Sequence, residues 1–145
     1  VEIILNTYTS FFIDDADYEL VKSRTWQINN AGYIQYSIKD QTIMLHRLLM
    51  NCPDKLVVDH IDHNKLNNCR GNLRICTRSQ NRQNCKIPSN NKSGCKGVRW
   101  HQNGWEARIA VLGKSIHLGR FASFDEAVIA YCTAAKQHFG EFVCL

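Results

Sequence analysis

Over the first third of the chain, apolar and polar residues alternate in short runs, separated by turn signals at Asp14-Asp15 and Asn29-Asn30-Ala31-Gly32. The segment Gly32-Tyr33-Ile34-Gln35-Tyr36-Ser37-Ile38 has the period of two that marks a half-buried strand. Residues 1–54 therefore read as a strand-rich region, closing with Met44-Leu45-His46-Arg47-Leu48-Leu49-Met50, a strand passing into a short helix. His46 and Arg47 read as core or surface support, with phosphate binding as the other use of a basic pair. The β-branched run Leu56-Val57-Val58-Asp59-His60-Ile61 predicts a strand, and Asn72-Leu73-Arg74-Ile75-Cys76 its return partner. Thr77 and Gln80 have the spacing of a capping box, so a helix should start near Arg78 and stop before Pro88.

After residue 88 the pattern lapses. Ser89-Asn90-Asn91-Lys92-Ser93-Gly94 is polar and reads as a linker over 89–94. From 95 to 145 a second module fits. Lys96–His101 and Trp105–Leu112 alternate about Asn103-Gly104, a hairpin signal, and Gly113-Lys114 turns into a third strand at Ser115-Ile116-His117-Leu118. Ser123 and Glu126 form another capping box; the helix carries Ala127, Ala130, Tyr131, Ala134, Ala135 and His138 on one stripe and ends at Gly140. Period two places Val98, Trp100, Trp105, Ala107, Ile109, Val111, Ile116 and Leu118 under that helix. Arg99, His101, Glu106, Arg108, Ser115 and His117 then lie on the open face. The expected class is α+β: a strand-rich N-terminal region, a strand–strand–helix unit over 55–88, and a three-stranded antiparallel sheet on one helix.

Composition bounds the partners. No run of about 18 apolar residues is present to span a bilayer, and Val1-Glu2-Ile3-Ile4-Leu5 lacks the basic flank of a signal peptide, so an intracellular protein without a membrane partner is expected. The seven cysteines are odd in number and contain no C-x-x-C pair. They read as small buried or partly exposed thiols, with a zinc site from Cys69, Cys76, Cys85 and Cys95 as the alternative. Charge is unevenly spread: residues 1–64 carry −4, residues 65–120 carry +11 and residues 121–145 carry −2. A basic stretch of this kind is the electrostatic footprint of a polyanion binder, because each cation that neutralises a phosphate releases a counterion.

The candidate chemistry lies in Asp59-His60-Ile61-Asp62-His63-Asn64, Asn72-Leu73-Arg74 and Thr77 through Asn84. A carboxylate beside an imidazole, with carboxamides further along, supplies what a one-metal phosphodiester-cleaving site needs: oxygen ligands, a proton acceptor and a loop brace. This segment resembles the HNH endonucleases, in the variant where Asn replaces the final His. Cys69 and Cys76 depart from it, standing where Arg and a small residue are expected.

The resemblance implies a ββα-metal unit in which Asp59, His60 and Asn81 converge. Asp59 and Asn81 would be ligands of Mg²⁺ or Mn²⁺, His60 the general base, and Asn72 the brace that fixes the imidazole by bonding across the loop. His63 is an alternative base, Asp62 an alternative ligand and Asn84 an outer ligand. Arg74, Arg78 and Arg82 are expected on DNA.

Gly97-Val98-Arg99, Trp105-Glu106-Ala107-Arg108-Ile109, Leu118-Gly119-Arg120-Phe121 and Glu126-Ala127 through Ala134-Ala135 are similar to the plant Apetala and ethylene-response-factor DNA-binding domain. That likeness implies a sheet that reads duplex DNA, with Lys96, Arg99, Arg108, Lys114 and His117 as contacts and the tryptophans as supports. His117 stands where relatives often have Trp, and Arg108 where many have Glu, so their base preferences do not transfer. The order of parts resembles phage and mobile-element homing endonucleases. The rival expectation is a non-catalytic, sequence-binding regulator that keeps the HNH shape. Monomer and homodimer both remain open, and with them nicking or double-strand cutting.

Overall fold

The computed structural model describes residues 1–142; Cys144, one of the thiols noted above, lies outside the described residues. The chain forms two compact units, Val1–Asn81 and Arg82–Leu145.

The first unit holds β1 (Glu2–Asn6), β2 (Thr9–Phe12), α1 (Tyr18–Val21), β3 (Gln27–Ile28), β4 (Ile34–Ile38), β5 (Gln41–Met44), α2 (Leu45–Met50), β6 (Val57–His60) and β7 (Leu73–Cys76). It also holds the start of α3 (Arg78–Gln83). Strands pair antiparallel as β1-β2, β3-β4-β5 and β6-β7. None of these small sheets can bury a face alone, so all drain into one core. Phe11, Ile13, Val21, Trp26, Ile34, Leu45 and Leu49 from the strand-rich region pack with Val58 and Leu73 from β6 and β7. The N-terminal region and the β6-β7 hairpin therefore share one interior, although the sequence pattern changes between them near residue 54.

Polar bonds fasten the same two parts. Phe12 donates its amide to the Leu66 carbonyl at 2.8 Å and accepts from the Asn68 amide at 2.7 Å. Arg70 grips the buried Asp17 with two bonds, Nε to Oδ2 at 2.9 Å and a terminal nitrogen to Oδ1 at 2.7 Å. The long loop after β6 is thus held against β2 and the turn before α1.

In the second unit β8 (Val98–His101), β9 (Gly104–Val111) and β10 (Lys114–Phe121) form a β10-β9-β8 antiparallel sheet. Packed on it is α4 (Phe124–Phe139), opened by the Ser123/Glu126 capping box and ended at Gly140. Val98, Ala107, Ile109, Ala127, Tyr131 and Ala135 make its core. The turns fall one residue earlier than the sequence suggested. Gln102 and Asn103, then Leu112 and Gly113, have positive φ, and Gly104 and Lys114 already belong to strands. Two successive residues with φ > 0 give the twist that a two-residue hairpin requires.

Three residues expected on the covered side are exposed. Trp100 is 58% and Ile116 40% accessible, and His138 is exposed on α4. Buried positions on that helix run Ala127, Tyr131, Ala135, with Phe139 partly covered. One helix does not cover every position on its side of the sheet, so facing the helix side and being covered are separate conditions.

Candidate functional site: the end of β6 and the open sheet face

β6 and β7 pair with Asp59 opposite Arg74 and His60 opposite Leu73. Alternation directs adjacent side chains to opposite faces. Asp59 shares its face with Arg74 and Cys76. His60 shares the other with the core residues Val58 and Leu73. Both Asp59 and His60 are about 95% buried.

Arg74, expected on DNA, is directed at Asp59 instead. Its Nε and a terminal nitrogen both donate to Oδ2, at 2.9 and 2.8 Å, and the side chain is only 12% exposed. The Cys76 thiol, one turn of pleat away, feels the Asp59 charge and accepts from the backbone amide of Asn81. Asp59 and the first turn of α3 therefore both bear on Cys76. Burial pushes that thiol's pKa up, favouring the protonated form. The capping box that starts α3 is present: the Thr77 amide donates to Gln80 Oε1 at 2.9 Å, and the Gln80 amide to Thr77 Oγ1 at 3.2 Å. Arg78 and Arg82 lie exposed on this helix.

His60 sits in an aromatic collar. The His46 ring meets it edge-on at 5.3 Å between centroids, and Tyr33 lies 6.0 Å away. Its Nε2 is 3.4 Å from Oδ1 of the fully buried Asn68. Burial is the largest influence on the imidazole and lowers its pKa, against the opposing pull of Asn68, Asp62 and Asp59. His46 is pushed further, to about 4, by burial, by His60 and by Arg47. Its Nδ1 has no hydrogen-bond partner among the described residues. Arg47 closes the loop after α2, donating to the carbonyls of Leu56, Cys52 and Pro53.

Asn72 bonds the backbone across the loop that follows His60, as the expected brace would. Its Oδ1 accepts from the Asp62 amide at 3.0 Å, and its Nδ2 donates to Asp62 Oδ1 and to the Asn67 carbonyl, both at 2.8 Å. Asp62 is the hub of the loop, also accepting from Asn67 Nδ2 and the Asn64 amide. These bonds hold its carboxyl below the usual range despite some desolvation. His63 takes the left-handed conformation at φ 62°, and Asn84 is buried in the second unit. The sequence does not mark Asp62 and Asn68 as structural keys, because six of the fourteen residues from 59 to 72 are carboxamides or carboxylates; only the fold tells hub from spoke.

The four cysteines considered for zinc are divided, Cys69 and Cys76 in the first unit, Cys85 and Cys95 in the second. Among the described residues no group of three or more His, Cys, Asp or Glu is arranged to hold a metal. The candidate donors, the Asp59 carboxylate on β6 and the Asn81 carboxamide on α3, are hard oxygens of the kind Mg²⁺ takes alongside water and phosphate.

On the second unit's open face, Glu106 is the only acid between residues 65 and 120. It is 3% exposed, yet what covers it is basic: Arg99 Nε at 2.7 Å, an Arg108 terminal nitrogen at 2.9 Å and His117 Nε2 at 3.4 Å. The bonds from Arg108 and Arg99 pull its pKa down to about 2. Both arginines are about half exposed, so they are aligned by the carboxylate while presenting their outer edges to solvent.

A bulge between His117 and Gly119 pairs Gly119 with Ala107 and Arg120 with Glu106. Strict alternation from His117 would put Arg120 on the helix side; the extra residue turns it onto the basic face, where it bonds Gln102 Oε1 at 3.0 Å. The sequence pattern alone did not single out this cation. Lys114 is exposed at the second turn, whereas Lys96 is half-buried with Nζ 3.2 Å from the Gln83 carbonyl.

The class follows from comparison with known proteins. The HNH endonuclease family model matches residues 51–83, the stretch from the end of α2 to the end of α3. An uncharacterized HNH endonuclease of Acanthamoeba polyphaga mimivirus is 31% identical over 141 residues, covering 92% of this chain and 73% of that protein. The chain belongs to the HNH endonuclease family. It is also similar to Protein 3.8 of Escherichia phage T7, 33% identical over 92 residues, 62% of this chain and 75% of the phage protein. No solved structure matches it. No helix among the described residues is long and apolar enough to cross a membrane.

Proposed function

We propose that the chain is a divalent-metal-dependent endonuclease that hydrolyses phosphodiester bonds in duplex DNA, with the first unit cutting and the open sheet face of the second unit binding. The observation that carries this reading is the Asp59-His60 pair at the end of β6. A buried carboxylate there acts on the Cys76 thiol, which also accepts from the first turn of α3, and a largely neutral imidazole is held in a collar on the other face of the strand, in a chain of this family.

Asp59 and the Asn81 carboxamide are the residues that would hold Mg²⁺ or Mn²⁺. When bound, such an ion supplies charge to stabilise the leaving 3′ oxygen. The chain's own residues do the rest. Arg74 fixes the orientation of the Asp59 carboxylate through Oδ2. His60, uncharged at neutral pH, accepts a proton from the attacking water. Asn72 and Asp62 lock the loop that follows. Arg99, Arg108, His117 and Arg120 form a cationic surface for the DNA backbone and base edges, with Lys114, Arg78 and Arg82 as further phosphate partners.

The second reading, a binding regulator without turnover, has one observation in its favour: Arg74 already neutralises Asp59. A supercoiled-plasmid nicking assay with Mg²⁺, with Mn²⁺ and with EDTA decides between them. The nuclease reading expects nicking that EDTA stops, and His60→Ala to reduce it by about 10²–10⁴-fold while DNA binding persists. Binding without nicking under either ion rejects it.

A further inference from the structure

We propose that Glu106 is the specificity-determining residue of the open sheet face: by holding Arg99 and Arg108 in fixed orientations, it makes that face discriminate among duplex sequences by their guanines. The inference rests on the reading that this face binds duplex DNA, and deepens it.

Glu106 lies in the middle strand, β9, opposite Arg99 on β8 and Arg120 on β10, with the Arg108–His117 pair next along the same face. Both of its carboxylate oxygens are occupied. Oε2 accepts from Arg99 Nε at 2.7 Å and Oε1 from an Arg108 terminal nitrogen at 2.9 Å, and His117 Nε2 is 3.4 Å from that second oxygen. The carboxylate is 3% exposed, whereas Arg99 and Arg108 keep 57% and 49% of their side chains open. The acid therefore lies beneath the cations, and a ligand approaching this face meets guanidinium groups first.

For a surface that had only to attract phosphates, this acid is a poor choice. Residues 65–120 carry twelve Lys or Arg and no other Asp or Glu. A carboxylate among them cancels one positive charge and subtracts from the counterion release that drives non-specific binding. It adds little stability either, because water screens ion pairs whose partners are half exposed. What it supplies is order. An arginine on an open surface samples many rotamers and gives up that freedom on binding; Arg99 and Arg108 have given it up beforehand.

The orientation also selects the ligand. With Nε tied to Glu106, Arg99 presents its two terminal nitrogens, neither of which has a hydrogen-bond partner among the described residues. Two parallel donors match O6 and N7 of guanine, the one base that shows two acceptors side by side in the major groove. A phosphate can be met by a cation from many angles, whereas a base edge requires one.

The test uses the full chain with EDTA present, so that no DNA is cut, and compares duplexes selected from a randomised pool with the unselected pool. The wild type should enrich sites containing guanine. Replacing each enriched guanine in turn by 7-deazaguanine, which lacks the N7 acceptor, should weaken binding by about 10-fold at the contacted positions. Glu106→Gln keeps the size of the side chain but turns an NH₂ towards one of the two arginines. It should lower the preference for selected over unselected duplex by about 10-fold and remove the 7-deazaguanine effect. With one negative charge gone, it should also bind the unselected pool more tightly than the wild type does. Arg99→Lys, which keeps the charge without the fork, should lose the guanine preference in the same way. A Glu106→Gln variant whose affinities for both pools fall together shows a merely structural residue and overturns the inference, as does one that keeps the 7-deazaguanine effect. A wild type that binds every duplex alike overturns it too, and leaves DNA binding by this face standing. No binding to any duplex overturns both.

Discussion

Individual side chains in this protein are often fixed by what they cannot do. Gly97 has φ +67°, and a β-carbon built there would fall 2.2 Å from the Arg108 carbonyl oxygen and 2.4 Å from the Tyr131 ring. The Arg108 amide meanwhile bonds the Gly97 carbonyl at 2.7 Å, so neither strand can draw back. Gly97→Ala should destabilise the second unit by about 1–3 kcal/mol or more, measured as a lower melting transition, with the β6-β7 hairpin unaffected. The sequence shows a glycine at 97; only the approach of β9 and α4 makes it obligatory. Arg74 carries the same lesson in reverse. As a letter beside a predicted site it reads as a phosphate contact, and the register of β6 on β7 turns it onto Asp59 instead.

At the scale of elements, α2 places a histidine whose protonation opposes folding. His46 is held to about 4 in the folded chain against an ordinary value of 6.5. The unfolded chain thus binds more protons between those values, and stability falls as pH drops from 6.5 to about 4. That loss is at most about 3 kcal/mol. Thermal melts from about pH 7 to about pH 4 should show the decline, and His46→Leu should flatten most of it, the remainder coming from His60, whose pKa is lowered in the same direction. An unchanged slope in the variant would remove His46 from the account. Glu106 acts in the same direction but in a lower window: its depressed pKa contributes stability above the ordinary carboxylate value of 4.5, which is lost only as pH falls towards about 2. The arginine alignment on the open face should therefore survive the acid range in which the first unit weakens.

Those elements were largely legible. Period two marks β4 and the three strands of the second unit, a β-branched run marks β6 with β7 as its return partner, and capping boxes mark the starts of α3 and α4. The turn positions and the Arg120 bulge were not legible, since both depend on how one strand registers on another.

For the whole molecule, the proposed function puts cutting and binding in different units, and the prediction is that they separate. Arg99→Ala with Arg108→Ala should weaken DNA binding and lower the slope of log K against log salt by up to about 2, roughly 0.9 for each phosphate that no longer has its arginine. His60→Ala should leave that slope unchanged. Equal slopes in wild type and the double variant would remove the open sheet face from the interface.

What the sequence determined alone was local: periodicity, caps, the concentration of positive charge between residues 65 and 120, and the carboxylate, imidazole and carboxamides with the spacing of an HNH unit. Such features are set by neighbours within a few positions, where backbone geometry repeats and side-chain order maps directly onto space. Tertiary structure alone decided that β2 holds the loop carrying Asn68, that Arg74 faces Asp59, that Trp100 lies uncovered and that Glu106 gathers the arginines. Each of those depends on strand register or on burial against a distant segment, and a shift of one residue in pairing would send every such side chain to the opposite face.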